Sequence, residues 1–410
     1  MKCRHCQAEP LLTLIDLGSA PLSNAYLTEA NLNEPERWYP LRVLVCNHCW
    51  LVQTEDYTGR DDLFGKDYAY FSSVSSSWLA HANQYVKSVV TRFELSASSL
   101  VVELAANDGY LLQYVQDRGI PCYGVEPTTS TAGAARAKGI DIVEAFFGVD
   151  LAVRLAEERG QADLVVANNV LAHVPDINDF VLGVSKLLKP SGVATFEFPH
   201  LLNLIDQCQF DTIYHEHYSY LSLTAVHRIF AASGLEILDV EEIPTHGGSL
   251  RVFAQRQDFK PYATSSNVDA LLQRELNQGL LTVAYYAGFQ EKVNRVKDDF
   301  LTFLLKAKEE GKVVAAYGAA AKGNTLLNYA GIRPDLISFV VDRSPGKQGK
   351  LMPGSRIPIV GEDFLKQVMP DCICILPWNL KDEITAQLDY IKGWGGSFVL
   401  AIPELSVIDA

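Results

Sequence analysis

Short apolar segments alternate with helical segments twice along this chain of 410 residues. The first series has strand-like runs at 99–105, 121–126, 141–147, 162–168, 192–199, 235–243 and 249–255. The second series has them at 313–318, 336–342, 371–377 and 396–402. Such alternation is typical of parallel sheets with helices on both faces. The sequence therefore predicts an α/β protein with two Rossmann-like domains, the first ending in a hairpin at an antiparallel edge.

The chain is predicted to divide into three domains. Residues 1–77 carry two cysteine pairs and are expected to form a small metal-binding domain. Residues 78–262 form the first Rossmann-like domain, and residues 263–410 form the second. A linker-like stretch at 257–266 and a long helical segment at 267–310 join the two.

Charge and hydropathy exclude several classes of function. The formal net charge of −14 opposes general binding to nucleic acids or anionic membranes, which favour basic surfaces. No stretch reaches the roughly 18 uninterrupted apolar residues of a membrane span. The N-terminal sequence lacks the apolar region of a secretory signal. We therefore expect a cytoplasmic protein whose anionic substrate, if any, meets a local basic pocket.

The four cysteines near the N-terminus predict a zinc site. Cys3 and Cys6 form one Cys-x-x-Cys pair, and Cys46 and Cys49 form a second. Each pair can form a knuckle, and four thiolates suit tetrahedral zinc. A histidine inside each knuckle leaves a mixed cysteine–histidine set open. Four cysteine ligands would leave no position for water, so the predicted site is structural.

The segment 101–112 has the pattern of a cofactor-binding turn. An apolar strand ends in Glu103, and a turn containing Ala105, Asn107 and Gly109 leads into a helix. Small residues let the backbone approach a ligand closely. The G-x-G-x-x-G motif of dinucleotide-binding loops is absent from the sequence, which disfavours a pyrophosphate ligand. An acidic turn suits a cationic, phosphate-free ligand such as S-adenosylmethionine (SAM).

Residues after the next strands support the same cofactor. Glu126 ends the second strand, where a carboxylate can accept both hydroxyls of a ribose. Phe147 follows the third strand and could pack against adenine. Asn168 and Asn169 end the fourth strand, at the ligand-binding edge of such sheets. Together these positions predict SAM binding.

Three histidine-bearing segments are candidates for the chemistry. His173 follows the fourth strand, Tyr214-His215-Glu216-His217 follows the fifth, and His246 precedes two glycines. The dense segment is not the H-E-x-x-H zinc motif, because Ser219 holds the position of the second histidine. Imidazole suits general-base catalysis near neutral pH, and tyrosine and a second imidazole suit oxyanion stabilisation.

Taken together, these motifs resemble the zinc-containing sugar C-methyltransferases, which methylate nucleotide-linked 4-keto-deoxyhexoses, typically at C3. The resemblance covers nearly the whole chain. It includes the double Cys-x-x-Cys, the strand-end Glu103 with its turn, and the segments around His173 and His217. It continues through His246-Gly247-Gly248-Ser249-Leu250-Arg251 and from Tyr317 to Asn324.

The resemblance implies a role for each candidate residue. His217 would remove the proton next to the ketone, while His173 and Tyr214 would stabilise or protonate the ketone oxygen. Glu216 would orient an imidazole or bind a sugar hydroxyl, and Tyr70 matches a family tyrosine. The substrate-binding residues would include His246 and Arg251.

The C-terminal domain contains a glycine- and alanine-rich turn before a helix. The turn fails the P-loop pattern because Asn324 stands where the lysine belongs, which disfavours ATP binding. A helix N-terminus can still hold a phosphate. Positive charge near this turn is predicted to help hold the nucleotide diphosphate of the substrate, and it comes from Lys322, Arg343, Lys347, Lys350 and Arg356. Asn324 is a further candidate for substrate binding. The alternative is a loop of solvated charges.

Two other functions stay open at the level of sequence. One is an NAD-dependent nucleotide-sugar oxidoreductase or epimerase, which the two Rossmann-like domains favour and the missing glycine motif opposes. The other is a non-catalytic, zinc-bearing SAM-binding protein, which the complete Tyr214–His217 segment opposes.

Overall fold

The computed structural model describes residues 1–9, 11–57, 59 and 71–409. Each of the three predicted parts contains a β-sheet, and the α/β architecture is confirmed. Among the described residues, no helix combines the length and apolar character needed to cross a membrane.

The N-terminal sheet is antiparallel and takes strands from two distant parts of the chain. Its first three strands are β1 (Leu11–Ala20), β2 (Tyr39–Cys46) and β3 (Val52–Thr54). The fourth strand, β9 (Ser219–Tyr220), comes from the centre of the chain and pairs with β3. The expected domain of residues 1–77 therefore borrows a strand that directly follows the Tyr214–His217 segment.

The central sheet has seven strands in the order β10-β11-β8-β7-β4-β5-β6. Its strands are β4 (Val101–Leu104), β5 (Cys122–Val125), β6 (Ile142–Val143), β7 (Ala162–Asn168), β8 (Leu188–Pro199), β10 (Leu235–Ile243) and β11 (Ser249–Arg256). Only β11 runs antiparallel within this sheet, and it lies between β8 and β10. The antiparallel strand expected at the edge is thus one position inside it.

Helices cover both faces of the central sheet. They are α1 (Ser76–Arg92), α2 (Leu112–Gln116), α3 (Thr129–Ala137), α4 (Val149–Arg159), α5 (Ile177–Leu187) and α7 (Leu223–Ala232). Helix α6 (Leu201–Asp206) packs instead in the cluster that contains Ile15 of β1. Alternate residues of each strand face opposite sides, as the two-residue repeat of a strand requires. Val101 packs in the cluster that contains Tyr85 of α1, whereas Val102 packs in the cluster that contains Ala152 of α4.

The long helical segment expected at 267–310 is broken into three helices. They are α8 (Ser266–Asn277), α9 (Val283–Tyr286) and α10 (Phe289–Glu309). Gly279 and Gly288 adopt φ values of 88° and 78°, which glycine reaches without a steric penalty. Each glycine therefore permits a turn that an uninterrupted helix would exclude.

The C-terminal sheet has six strands in the order β14-β13-β12-β15-β16-β17. They are β12 (Val314–Tyr317), β13 (Val340–Val341), β14 (Ile359–Val360), β15 (Cys372–Ile375), β16 (Ser397–Leu400) and β17 (Ser406–Asp409). The helices are α11 (Ala321–Tyr329), α12 (Asp363–Val368) and α13 (Lys381–Gln387). Sequence analysis missed β14, which is two residues long, and the antiparallel edge strand β17.

The N-terminal and C-terminal sheets share one hydrophobic core. Buried Ile15 of β1, Phe289 of α10 and Val314 of β12 belong to the same packed cluster. Phe210 and Ile213, just before Tyr214, are also fully buried in it. The segment that carries the predicted catalytic residues is therefore anchored in a core that spans the first and last parts of the chain.

Candidate active site and zinc centre

The four predicted metal ligands converge on one point. The Sγ atoms of Cys3, Cys6, Cys46 and Cys49 all lie within 4.8 Å of one another. The Cys3–Cys49 and Cys6–Cys46 sulfur pairs are 3.4 Å and 3.6 Å apart. Zinc–sulfur bonds of about 2.3 Å in a tetrahedron place sulfurs about 3.8 Å apart. The donor set therefore fits a structural zinc ion.

The backbone around the cysteines explains how two short motifs can form this site. The residue after each pair, Gln7 or Trp50, has a φ of 61° or 63° and reverses the chain. The Cys49 N–H group donates to Cys46 Sγ at 3.5 Å, as expected inside a knuckle. Both knuckles thus turn their sulfurs towards a common centre.

The predicted cofactor turn has an open, sharply curved backbone. Ala105, Asn107 and Gly109 all adopt positive φ values, of 55°, 49° and 75°. A Cβ atom at Gly109 would lie 2.3 Å from a side-chain carbon of Ile140. The turn therefore requires glycine at this point, both for its conformation and for its close packing.

Glu126 fixes the turn from the neighbouring strand. Its carboxylate is buried and accepts the backbone N–H groups of Asn107 and Thr128, each at 2.9 Å. Two such bonds hold the carboxylate in one orientation at the carboxyl end of the sheet. This is the position from which it could bind the ribose hydroxyls of a nucleoside.

Three further side chains at this edge carry buried polar atoms without a described hydrogen-bond partner. They are Oε2 of Glu103, Oδ1 of Asn168 and Nδ2 of Asn169. Burial raises the pKa of Glu103 well above its usual range. Buried polar groups normally have partners, so two acceptors and one donor grouped at one strand edge fit a ligand that carries both a cationic donor and an anionic acceptor. These atoms support the SAM site predicted here.

Phe147 lies in a loop just before α4 rather than at the end of a long third strand. The predicted strand at 141–147 is only two residues long, Ile142–Val143. The Phe147 ring packs edge-on against Phe180 of α5, with centroids 5.3 Å apart. The residue is half-buried, and its contact with adenine stays a prediction.

The predicted catalytic residues form one aromatic cluster. The His217 ring centroid lies 4.0 Å from that of Tyr214 and 4.6 Å from that of His173. His217 Nδ1–H donates to the Thr212 carbonyl at 2.8 Å, and His173 Nδ1–H donates to the Glu216 carbonyl at 2.9 Å. Each bond assigns the proton to Nδ1, which leaves Nε2 of each ring with a lone pair.

Burial keeps these imidazoles neutral. It lowers the pKa of His217 well below the usual value, and the nearby His173 adds to the effect. Burial also lowers the pKa values of His173 and His246 to about 4. At neutral pH each ring can therefore accept a proton or a hydrogen bond through a neutral nitrogen.

The N-terminal domain holds the Tyr214–His217 segment on one side. Thr54 Oγ1 donates to the His217 carbonyl at 2.8 Å, and Asn24 Nδ2 donates to Glu216 Oε1 at 2.6 Å. His215 points away from the cluster, and its Nε2 lies 3.2 Å from the Pro40 carbonyl. His215 therefore anchors the segment to the N-terminal sheet.

The C-terminal domain holds the same segment on the other side. Thr325 Oγ1 donates to the Ile213 carbonyl at 2.7 Å, and Trp378 Nε1 donates to Asp211 Oδ2 at 2.8 Å. Lys322 lies close enough for its charge to lower the pKa values of His217 and His246. The diphosphate role that the sequence predicts for Lys322 stays a prediction, and its charge also acts on these two imidazoles.

Other predicted substrate-binding residues lie elsewhere. Asn324 is 1% exposed and donates to the Ser23 carbonyl at 2.5 Å, which joins the N- and C-terminal domains. Arg343 is exposed and lies 3.3 Å from Gln387 Oε1. Tyr70 lies outside the described residues.

Arg251 is part of a buried charge network that sequence reasoning missed. Glu197, fully buried at the end of β8, accepts from Arg251 Nη2 at 3.0 Å, pairs with His81 Nε2 at 3.0 Å and accepts from Thr245 Oγ1 at 3.1 Å. Trp78 of α1 stacks on His81 and lies 5.3 Å from the His246 ring. Glu197 could have been predicted from the sequence, because it is an acidic residue near the end of an apolar strand. His81 and Trp78 could not, because they lie in a helix without a distinctive motif.

Family models match three consecutive parts of the chain. Residues 3–64 match the family described as "Putative zinc binding domain", and residues 78–240 match "Methyltransferase domain". Residues 244–403 match "C-methyltransferase C-terminal domain".

Individual proteins give further similarities. The C-methyltransferase NovU of Streptomyces niveus is 35% identical over 409 residues, covering 100% of this chain and 97% of NovU. Magnesium protoporphyrin IX methyltransferase from Synechocystis PCC 6803, solved with bound SAH, is 18% identical over 43% of this chain and 83% of its own, with a TM-score of 0.35. A SAM-dependent methyltransferase from Clostridium acetobutylicum ATCC 824 is 13% identical, with a TM-score of 0.36, and the match covers 43% of this chain and 92% of that protein.

Proposed function

Because this chain belongs to the zinc-containing, SAM-dependent C-methyltransferase family, we propose that it methylates a nucleotide-linked 4-keto-deoxy sugar at the carbon next to the ketone. The observation that carries this proposal is the neutral, buried His217, whose Nδ1–H donates to the Thr212 carbonyl. That bond leaves Nε2 as the proton acceptor. C-methylation needs such a base, because a carbon must lose its proton before it attacks a methyl group.

The residues around His217 divide the remaining work. Nε2 of His217 takes the proton from C3, and the C–H electron pair moves into the ring as the ketone becomes an enolate. Tyr214 and His173, whose rings lie beside His217, stabilise or protonate the enolate oxygen. Glu216 binds a sugar hydroxyl. Bound SAM supplies an electrophilic methyl group to the enolate carbon.

The cofactor is held by the edge of the central sheet. Glu126 binds the ribose hydroxyls, while Glu103 Oε2 and Asn168 Oδ1 accept from the α-amino group of SAM and Asn169 Nδ2 donates to its carboxylate. Burial raises the pKa of the Glu103 carboxyl, and a bound cation would favour its charged form. This explains why the turn can work without the glycine motif of pyrophosphate-binding loops.

The C-terminal domain contributes to binding the nucleotide portion. Exposed Arg343 and the half-buried Lys350 supply positive charge in a chain of net charge −14. A nucleoside diphosphate is the part of the substrate that such charges attract. Thiolate zinc ligands and a nucleotide-linked substrate both favour action in the reducing cytoplasm.

The test is methyl transfer by His217→Asn on a panel of 4-keto nucleotide sugars, followed by mass spectrometry. We expect the rate to fall by about 10²–10⁴-fold, the usual contribution of a general base. Affinity for S-adenosylhomocysteine (SAH), measured by calorimetry, should be unchanged. His227→Asn, on the exposed face of α7, is the matched control and should retain full activity. Wild-type enzyme that methylates none of the sugars would refute the proposal.

A further inference from the structure

The Lys322 ammonium group has an unusual environment between the central and C-terminal domains. Its Nζ lies 2.6 Å from Asn379 Oδ1 and 4.7 Å from the centroid of the Trp378 ring. Burial lowers the pKa of Lys322. Within the described part of the chain, no carboxylate oxygen lies within 4 Å of this nitrogen. A neutral amide and an indole face therefore hold a half-buried cation that lacks a direct counter-ion among the described residues.

Asp211 supplies the nearest negative charge, but Trp378 engages it. Asp211 Oδ2 accepts from Trp378 Nε1 at 2.8 Å, and burial raises the pKa of this carboxyl to about 6. A charge that is partly removed from water without a counter-ion is unfavourable, and such groups are frequent at functional sites. The arrangement fits a site that receives an anionic atom.

Trp378 places this cation next to the reaction centre. A Cβ atom at Gly247 would lie 2.3 Å from Cη2 of Trp378, so the indole packs directly against the loop that carries His246. Asp211 precedes Thr212, whose carbonyl fixes the tautomer of His217. The indole of Trp378 thus contacts Lys322, the loop of His246, and Asp211.

We propose that Lys322 contacts the ketone oxygen of the acceptor and holds the negative charge that develops there as the enolate forms. This inference rests on the proposed function and assigns Lys322 to the reacting end of the substrate rather than to its diphosphate. Trp378 joins Lys322 to the loop of His246 by direct contact, and the charge of Lys322 acts on both His217 and His246. The diphosphate is left to more accessible cations such as Arg343.

The electron and proton balance of the step is simple. His217 Nε2 forms a bond to the C3 proton, and the C3–H pair becomes the new C3=C4 bond. The carbonyl π pair moves onto oxygen, beside the Lys322 ammonium. When C3 attacks the methyl group, the C=O bond re-forms and the S–CH3 pair returns to sulfur. The proton on His217 then leaves to solvent.

The experiment compares Lys322→Met, which keeps the length of the side chain, with Lys322→Arg, which keeps its charge. Lys308→Met, an exposed lysine paired with Asp335, is the matched control. Removing one oxyanion-stabilising group typically costs about 10²–10³-fold in kcat. We expect that loss in Lys322→Met with KM for the nucleotide sugar changed by less than about threefold, and partial recovery in Lys322→Arg. A raised KM with unchanged kcat would place Lys322 at the diphosphate and overturn the inference.

A second measurement needs no acceptor. The pKa values of His217 and His246 are read by NMR in the SAH complex of wild type and Lys322→Met. Both should rise when the neighbouring positive charge is removed, by about 0.5 or more. Values that do not move would overturn the inference, even if every sugar is methylated. Wild-type enzyme inactive on all 4-keto sugars, with histidine pKa values that do move, would refute the proposed function alone.

Discussion

The two Rossmann-like sheets carry similar edges with opposite uses. In each, the acid that ends the second strand, Glu126 or Asp342, accepts two backbone N–H groups, at 2.9 Å and 2.8 Å respectively. Beside the Glu126 edge, Glu103 and Asn168 have buried polar atoms without described partners. Beside the Asp342 edge, Lys347 Nζ lies 3.5 Å from the carboxylate. The central sheet thus keeps polar atoms that a ligand can bind, whereas side chains of the same protein pair with the polar groups at the edge of the C-terminal sheet.

The group that closes the second edge comes from the N-terminal domain. Tyr26 OH donates to the Ala319 carbonyl at 2.7 Å, and Lys347 Nζ donates to the same carbonyl at 2.8 Å. Ala319 lies in the turn that corresponds to the cofactor turn of the central domain. The same strand–turn–helix unit can therefore bind a cofactor or dock another domain, depending on whether side chains of the protein occupy the end of the sheet.

Removing zinc should have the largest effect, because it should release the N-terminal domain from both Rossmann-like domains. Structural zinc contributes about 10–16 kcal/mol to the folding of small zinc-binding peptides. We expect chelation, or Cys3→Ser, to unfold the N-terminal sheet and abolish methyl transfer, because Thr54 and β9 no longer hold His217. SAH affinity should change less than about threefold.

Circular dichroism and calorimetry measure the two consequences of zinc loss. Cys122→Ser, which removes a thiol outside the metal site, is the control and should keep its zinc. Full activity in zinc-free protein would contradict the link between the N-terminal sheet and the catalytic segment.

Substituting Glu126 and Asp342 should show directly that the two sheet edges differ in function. Glu126→Ala is expected to weaken SAH binding by about 10–100-fold, equivalent to roughly 1.4–2.8 kcal/mol, because the turn and the ribose lose their acceptor. Asp342→Ala should leave SAH affinity unchanged and reduce stability by about 1–3 kcal/mol, because two backbone donors lose their partner. Isothermal calorimetry and denaturant unfolding measure the two quantities. Equal losses of SAH affinity would show that the edges do not differ in use.

Lowering the pH should reduce both stability and activity, because it protonates the buried histidines of the active site. The folded-state pKa values of His173 and His246 are about 4, below the ordinary 6.5. The unfolded chain therefore binds more protons between these values, so stability falls as the pH drops from 6.5 towards 4. The acidic limb of kcat/KM, set by His217, should also lie below pH 6.5. A pH–rate profile that bends at or above 6.5 would contradict a buried, neutral base.

Arg343→Ala should have the smallest effect. The side chain is exposed and touches Gln387, so its charge is screened by water and salt. We expect KM for the nucleotide sugar to rise by less than about threefold with kcat unchanged, which steady-state kinetics can measure. A larger rise in KM would show that Arg343 binds the nucleotide directly, despite its contact with Gln387.

Much of the fold was readable from local pattern. Apolar runs bounded by turns gave the strands of the central sheet, and the pairing of Ile243 with Ser249 confirms the hairpin marked by Gly247 and Gly248. The very short β14 and the breaks at Gly279 and Gly288 were missed, since two residues carry no periodicity and a glycine within a helical pattern does not reveal whether the helix continues.

The candidate site was only partly predictable. His173, Tyr214 and His217 were identified from their density and their position after strands, and they do meet. The role of Lys322 was assigned to a phosphate because its sequence neighbours resemble a phosphate-binding turn. The contacts of Trp378 with Lys322 and with the loop at Gly247 join separate parts of the chain, and they support the role at the ketone that we propose.

The sequence by itself determined the features that depend on neighbours a few residues apart. These are the cysteine knuckles, the turn from Glu103 to Gly109, and the acid at the end of each second strand, because local spacing sets their geometry. Tertiary structure alone decided which Rossmann-like edge stays open. It also decided that β9 completes the N-terminal sheet and that Lys322 lacks an ion pair among the described residues. These outcomes depend on packing between segments that lie 57 to 293 residues apart in the sequence, which no local pattern encodes.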